Sequence, residues 1–202
     1  MRINQKQFIM KKVFLSIVLL GVITMLNAQK VKFGVKAGLN IANVTGSDAD
    51  GNKALASFYG GGLVNIPVTT NGLSVQPELV YSGQGAKESG GGDAKVNLGY
   101  LNIPVLAKYT FNGGFFAETG PQLGFLLNAK AKSSGVSVDV KDSFKSTDFS
   151  WGFGIGYQSS MGIGAGVRYN YGISKLDKEG DAKVYNGVIQ IGVHYLFAGG
   201  HK

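Results

Sequence analysis

From residue 31 onward, apolar and polar side chains alternate one by one, and no segment holds a helical period. An alternation of two is the signature of a strand with two unlike faces. Eight such runs stand at about 31–40, 56–68, 73–82, 97–109, 115–127, 148–157, 161–173 and 184–197. Their length suits the ~9–11 residues of a tilted membrane strand with some overhang. The connections alternate too. Thr69–Gly72, Phe111–Gly114 and Gln158–Ser160 are short, and Asn71-Gly72 is a hairpin signal. The segments 41–55, 83–96, 128–147 and 174–183 are long and polar. Short turns at one end and long loops at the other predict an all-β fold, an eight-stranded antiparallel up-and-down transmembrane β-barrel.

The two faces differ in kind. One carries Val, Leu, Ile and Ala in mid-strand, with aromatic residues toward the ends. Tyr81, Phe125, Trp151, Tyr169, Tyr171 and Tyr185 lie toward the long loops, and Phe33, Tyr109, Phe115, Tyr157, Tyr195 and Phe197 toward the short turns. Two aromatic girdles around an aliphatic band are what a lipid-facing barrel surface requires. The other face carries the mid-strand charges Lys36, Glu78, Lys108, Glu118 and Arg168, with Gln76, Gln122, Asn170, Gln190 and His194. A soluble ligand-binding barrel would have the opposite arrangement. Eight strands leave an interior just wide enough for side chains. The inward charges are therefore expected to meet as an ion-paired structural cluster, with Tyr59, Tyr100 and Phe116 filling the rest. Space for them would come from the alternate glycines of FSWGFGIGYQSSMGIGAGVRYNYGIS (149–174), at 152, 154, 156, 162, 164 and 166.

Four prolines, Pro67, Pro77, Pro104 and Pro121, fall in or at the ends of these runs. Proline cannot donate to a ladder, so bulges or strand ends are expected there.

Composition narrows the class. Glycine supplies 32 of 202 residues and charged residues only 16%, against ~25% charged in ordinary soluble domains. The absence of cysteine excludes disulfides, thiolate metal sites and a lipoprotein anchor. The net charge of +8 is misleading. From Lys11 the chain reads KKVFLSIVLLGVITMLNAQ, a basic start, an apolar run and a small residue at Ala28, as in a secretory signal peptide. Residues 1–28 are thus expected to be removed, leaving 29–202 as the barrel domain. Met10 is an alternative start that would leave Met1–Ile9 untranslated. Four of the 20 basic residues fall in the leader, which leaves 16 against 12 acidic, net +4. These are interleaved in loops, so no nucleic-acid partner is expected.

The sequence offers little for catalysis, cofactors or metals. Of the two histidines, His194 falls on the inner face near the short turns and His201 in the tail. A membrane hydrolase would want His with Ser or Asp near the outer rim. Glu78 and Glu118 would make an acid–base pair only if cations did not hold both ionised. SDADGNK (47–53) has alternate oxygen ligands but places its glycine fourth and lacks the closing Glu of a calcium loop. GFGIGYQ precedes no helix and is not a dinucleotide fingerprint.

The segments VKFGVKAGLNIANVTGS (31–47), LSVQPELVYSGQGAK (73–87), LNIPVLAKYTF (101–111), FFAETGPQLGFLL (115–127) and VIQIGVHYLF (188–197) resemble the PorT-like "porin family" outer-membrane proteins of Gram-negative bacteria. The resemblance implies an outer-membrane barrel with no catalytic motif. The expected function is structural, or binding of an unspecified extracellular ligand through the long loops, with a plugged lumen. A narrow porin for ions or very small solutes is the alternative, and an outer-membrane enzyme the third reading. Periplasmic termini, extracellular long loops, a lipid environment and a monomeric state go with it. So does delivery by the insertion machinery, although AGGHK follows the aromatic Phe197 where that machinery is expected to read a terminal aromatic residue.

Overall fold

The computed structural model describes residues 31–47, 52–88, 94–176 and 183–197. The leader, most of the SDADGNK loop, and the tail with His201 lie outside the described residues. Nine strands follow one another: β1 (Lys32–Thr45), β2 (Asn52–Pro67), β3 (Leu73–Glu88), β4 (Lys95–Thr110), β5 (Phe115–Ser133), β6 (Val136–Asp139), β7 (Thr147–Gln158), β8 (Ile163–Gly172) and β9 (Tyr185–Leu196). Each pairs antiparallel with its neighbour in the chain, except that β7 returns to β5 past the short β6. Pairing of β9 with β1 and of β4 with β5 closes the ring. The result is a closed eight-stranded antiparallel barrel with β6 as an annex.

The ladder places side chains as the alternation requires. Phe33, Leu39, Phe115, Phe153, Ile155, Met161 and Ile163 are exposed on the outside, and Tyr59, Tyr100, Leu106, Phe116 and Arg168 are buried within. Exposed apolar area on this scale would be unstable in water and marks a surface made for another medium.

Three features differ from the sequence reading. First, the strands run past the expected ends on the long-loop side. β1 continues to Thr45, β3 to Glu88 and β5 to Ser133. In 128–147, expected as loop, β5 folds onto β6 through Ser134-Gly135, and a 3-10 turn follows at Lys141–Ser143. Both Ser134 (φ 47°) and Gly135 (φ 81°) adopt left-handed backbone, as a two-residue hairpin turn demands. Small residues and alternating AKAKS/VSVD flanks carried that signal.

Second, Pro67 ends β2 as expected, but the other three prolines lie within strands and do not shift register. Pro77 stays opposite Val105, Pro104 opposite Gln122 and Pro121 opposite Trp151. The β3–β4 ladder instead skips from Pro77↔Val105 to Val80↔Asn102, and the β4–β5 ladder from Pro104↔Gln122 to Ala107↔Thr119. Each missing N–H opens one rung toward one neighbour and leaves the alignment intact. The register shifts occur elsewhere, between Ala54 and Tyr59 and between Gly99 and Tyr100.

Third, Asn71-Gly72 does not form a two-residue hairpin. The connection spans residues 68–72, with Val68 N–H donating to Leu73 O at 2.8 Å.

Candidate functional site

In ring order β1, β3, β5 and β8 are every second strand, so β3 and β8 face each other across the bore. Each of the four directs one charged side chain inward. Lys36 Nζ donates to Glu78 Oε2 at 2.9 Å. Arg168 reaches across from β8 with both terminal nitrogens, NH1 to Glu78 Oε2 at 2.9 Å and NH2 to Glu78 Oε1 at 2.8 Å. Its Nε donates to Glu118 Oε1 at 2.8 Å. Two cations and two carboxylates thus form one connected network, and all four side chains are at least nine-tenths buried. Gln76 Nε2 adds a fourth hydrogen bond to Glu78, at 2.9 Å to Oε1. Lys36, Glu78 and Arg168 leave their strands near the middle of the outer apolar band, and Glu118 nearer its short-turn edge.

Lys108 has no direct ion pair in this network and reaches it through Gln76. It is opposite Glu118 in the ladder, yet its Nζ lies 3.8 Å from the centroid of the Phe116 ring and 3.5 Å from Gln76 Oε1. The sequence placed it in an ion-paired cluster, whereas its close partners are an aromatic face and an amide. A desolvated ammonium over a ring gains ~2 kcal/mol.

The glycines make this packing feasible. A Cβ on Gly154 would stand 2.9 Å from Glu118 Cγ, and one on Gly156 2.5 Å from Phe116 Cζ. Gly164 lies against the His194 ring in the same way. Gly162 is different, because it sits in the β7–β8 connection with φ 91° and leaves no inward space. His194 itself meets the Gln158 amide and the edge of Phe116 at the short-turn end. The gap left beside the cluster is about 30 Å³, room for one or two waters.

Toward the long loops the interior changes character. Leu98, Tyr100, Leu126 and Ala129 form a buried apolar layer with Val96, Val140 and Phe144 packed on it. Sequence reasoning placed Tyr100 inside but missed the rest of this layer, because NLGYLNI (97–103) is apolar on both faces and its inward members hide behind its outward ones. Above it opens a bowl of about 390 Å³, walled by Val44, Val136, Val138, Phe144, Leu176 and Val184 and also bordered by Lys87, Lys95 and Lys132.

The outer surface carries the aromatic residues. Phe115 and Tyr157 meet edge to face at 5.4 Å, as do Tyr195 and Phe197, all toward the short turns. Tyr109 meets Phe111 at 4.9 Å, and Phe58 lies 5.8 Å from Tyr81; neither Phe58 nor Phe111 was read as a girdle member. Phe33, Phe125, Tyr169 and Tyr171 are exposed. Trp151 donates its indole N–H to Thr119 Oγ1 at 2.8 Å. Tyr185 is half-buried opposite Thr45. Among the described residues no group of His, Asp and Glu is placed to hold a metal.

A closed eight-stranded antiparallel ring with an apolar exterior and a polar interior defines the class of small outer-membrane barrels. The chain belongs to the family described as outer membrane protein beta-barrel domain, whose model matches residues 27–178. The match is to this broad family and does not extend to the PorT-like name. Sequence comparison with curated proteins finds no match. Among solved structures the fold is similar to Neisserial surface protein A (NspA), at TM-score 0.54 and 18% identity over 84% of this chain and 100% of that one. It is also similar to Ail, the attachment invasion locus protein of Yersinia pestis, at TM-score 0.48 and 19% identity over 84% and 100%. A third is OprG from Pseudomonas aeruginosa, at TM-score 0.46 and 14% identity over 82% and 95%.

Proposed function

We propose that this chain is a plugged outer-membrane barrel, not an enzyme, that works by binding at its long-loop end. Within the family it goes with the PorT-like proteins on the resemblance of the quoted segments. The termini and short turns face the periplasm, and the long-loop end faces the exterior.

The observation that carries the reading is the span of Arg168 from β8 to Glu78 on the opposite wall. With Lys36 and Glu118 it closes the bore by charge-assisted hydrogen bonds, and a hydrated ion would have to displace them. Function is thereby pushed to the ends, and the apolar bowl is a candidate site for a small apolar ligand. The absence of a His–Ser or His–Asp pair at that end among the described residues supports binding over catalysis.

Planar-bilayer recording of the purified protein tests the plug. A silent membrane at high protein load is the expected result. Stable stepwise conductance would replace this reading with the narrow porin.

A further inference from the structure

Four lysines stand in one row across four consecutive strands. Lys53 on β2 is opposite Lys87 on β3, Lys87 is opposite Lys95 on β4, and Lys95 is opposite Lys132 on β5. Residues opposed on antiparallel neighbours share a face. Leu98 on β4 and Ala129 on β5 point inward, so by alternation Lys95 and Lys132, and the row with them, lie on the outer surface. Lys53, Lys87 and Lys132 are exposed and Lys95 half-buried, and Lys130 adds a cation one outward position down β5. Strands lie ~4.8 Å apart, so the row spans ~15 Å.

Like charges set directly opposite destabilise a sheet, and here the mismatch recurs at three successive pairings. Among the described residues none of the four lysines ion-pairs with a carboxylate. Asp139 is opposite Lys130, outside the row. Among the described residues the line of cations therefore lacks a neutralising partner.

Below the row, between it and the upper aromatic residues, runs an outward groove of about 410 Å³. Phe58 and Tyr81 wall it on the membrane side, and Asn128, Lys130 and Lys132 on the other. Gly83 and Gly99 face each other in its floor. A Cβ on Gly99 would stand 2.6 Å from the Asn128 amide nitrogen and 2.9 Å from the Tyr81 hydroxyl, so glycine lets both polar groups converge there. Aromatic, then amide and hydroxyl, then cation is the order met on leaving a bilayer through its headgroups.

We propose that this face of β2–β5 docks a phosphate-bearing glycolipid of the outer leaflet, with its phosphates along the lysine row and its lower part in the groove. A phospholipid with a single phosphate would not span the row. A soluble polyanion would leave the groove, which continues into the lipid-facing band, without an occupant. The proposal rests on the long-loop end facing outward.

The test is titration of the full chain, folded in detergent, with fluorescent lipopolysaccharide carrying core phosphates. The wild type is expected to bind, and dephosphorylation of the lipopolysaccharide to weaken binding. The double variant Lys87→Gln/Lys95→Gln should bind about thirty-fold more weakly, roughly fivefold for each cation. Without ligand its thermal midpoint should equal or exceed that of the wild type, since repulsion is relieved. Unchanged affinity in that variant would overturn the proposal, as would tighter, lysine-dependent binding of dextran sulfate, which would assign the row to soluble polyanions. Orientation is read separately by surface labelling of intact cells, so its failure is distinguishable from failure of the docking face.

Discussion

Arg168 and Glu78 hold each other across the full width of the barrel, through two parallel hydrogen bonds of 2.9 and 2.8 Å. Glu78 also neutralises Lys36, so it is the anion on which two buried cations depend. Among the described residues Glu118 ion-pairs with Arg168 only. Replacing Glu78 with Gln should therefore destabilise the barrel by ~3–5 kcal/mol, the usual cost of stranding a buried partner. Glu118→Gln should cost less, since Arg168 keeps Glu78. Urea unfolding of both variants in lipid vesicles checks the order; equal costs would mean that the two carboxylates share the cations evenly.

The inner glycines give a second prediction. Gly156 leaves no more than 2.5 Å between a hypothetical Cβ and Phe116 Cζ. Gly156→Val should overpack the bore and cost ~1–3 kcal/mol. Phe116→Leu in the same chain should recover part of that loss. A double-mutant cycle measures the coupling, and a value near zero would show that the ring is not what the glycine accommodates.

Exposure alone does not say which solvent a side chain meets, and two residues separate the cases. Ile155 is 69% exposed in the outer apolar band, whereas Val138 is 55% exposed on β6, beyond that band. Arginine at Ile155 should cost ~2–4 kcal/mol through loss of lipid contact. Arginine at Val138 should leave folding nearly unchanged while filling the bowl. Equal costs in vesicle refolding would refute the placement of β6 outside the membrane.

The barrel wall was legible because each strand has one lipid-facing and one lumen-facing set, and a period of two separates them in the sequence. Lys36, Glu78, Glu118 and Arg168 could be placed inside on that ground alone. Their pairing could not, because it depends on which strands lie opposite, and ring closure is not a local property. Lys108 shows the limit. Its register neighbour is Glu118, but Arg168 holds Oε1 of that carboxylate, and Lys108 lies over Phe116 and beside Gln76. The layer at Leu98 and Leu126 was hidden for another reason: inside and outside are both apolar there, so alternation vanishes. The lysine row needed the register shift between Gly99 and Tyr100, which sequence alone did not reveal.

The last prediction concerns orientation. The long-loop end carries β6, the bowl and the lysine row, and the short-turn end carries residues 68–72, 111–114 and 159–162. Outer-membrane barrels have short turns on the periplasmic side and long loops outside. The chain has no cysteine of its own, so single introduced thiols report cleanly. Ser137 on β6 is exposed and on the face opposite the bowl-lining valines, and Asn112 is exposed in a short turn. Ser137→Cys should react with a membrane-impermeant maleimide on intact cells, and Asn112→Cys only after the outer membrane is permeabilised. Neither change touches the ion cluster, so both variants should insert normally, and heat-dependent migration on a gel verifies that. Labelling of Asn112→Cys on intact cells, with Ser137→Cys protected, would invert the barrel and place the bowl in the periplasm.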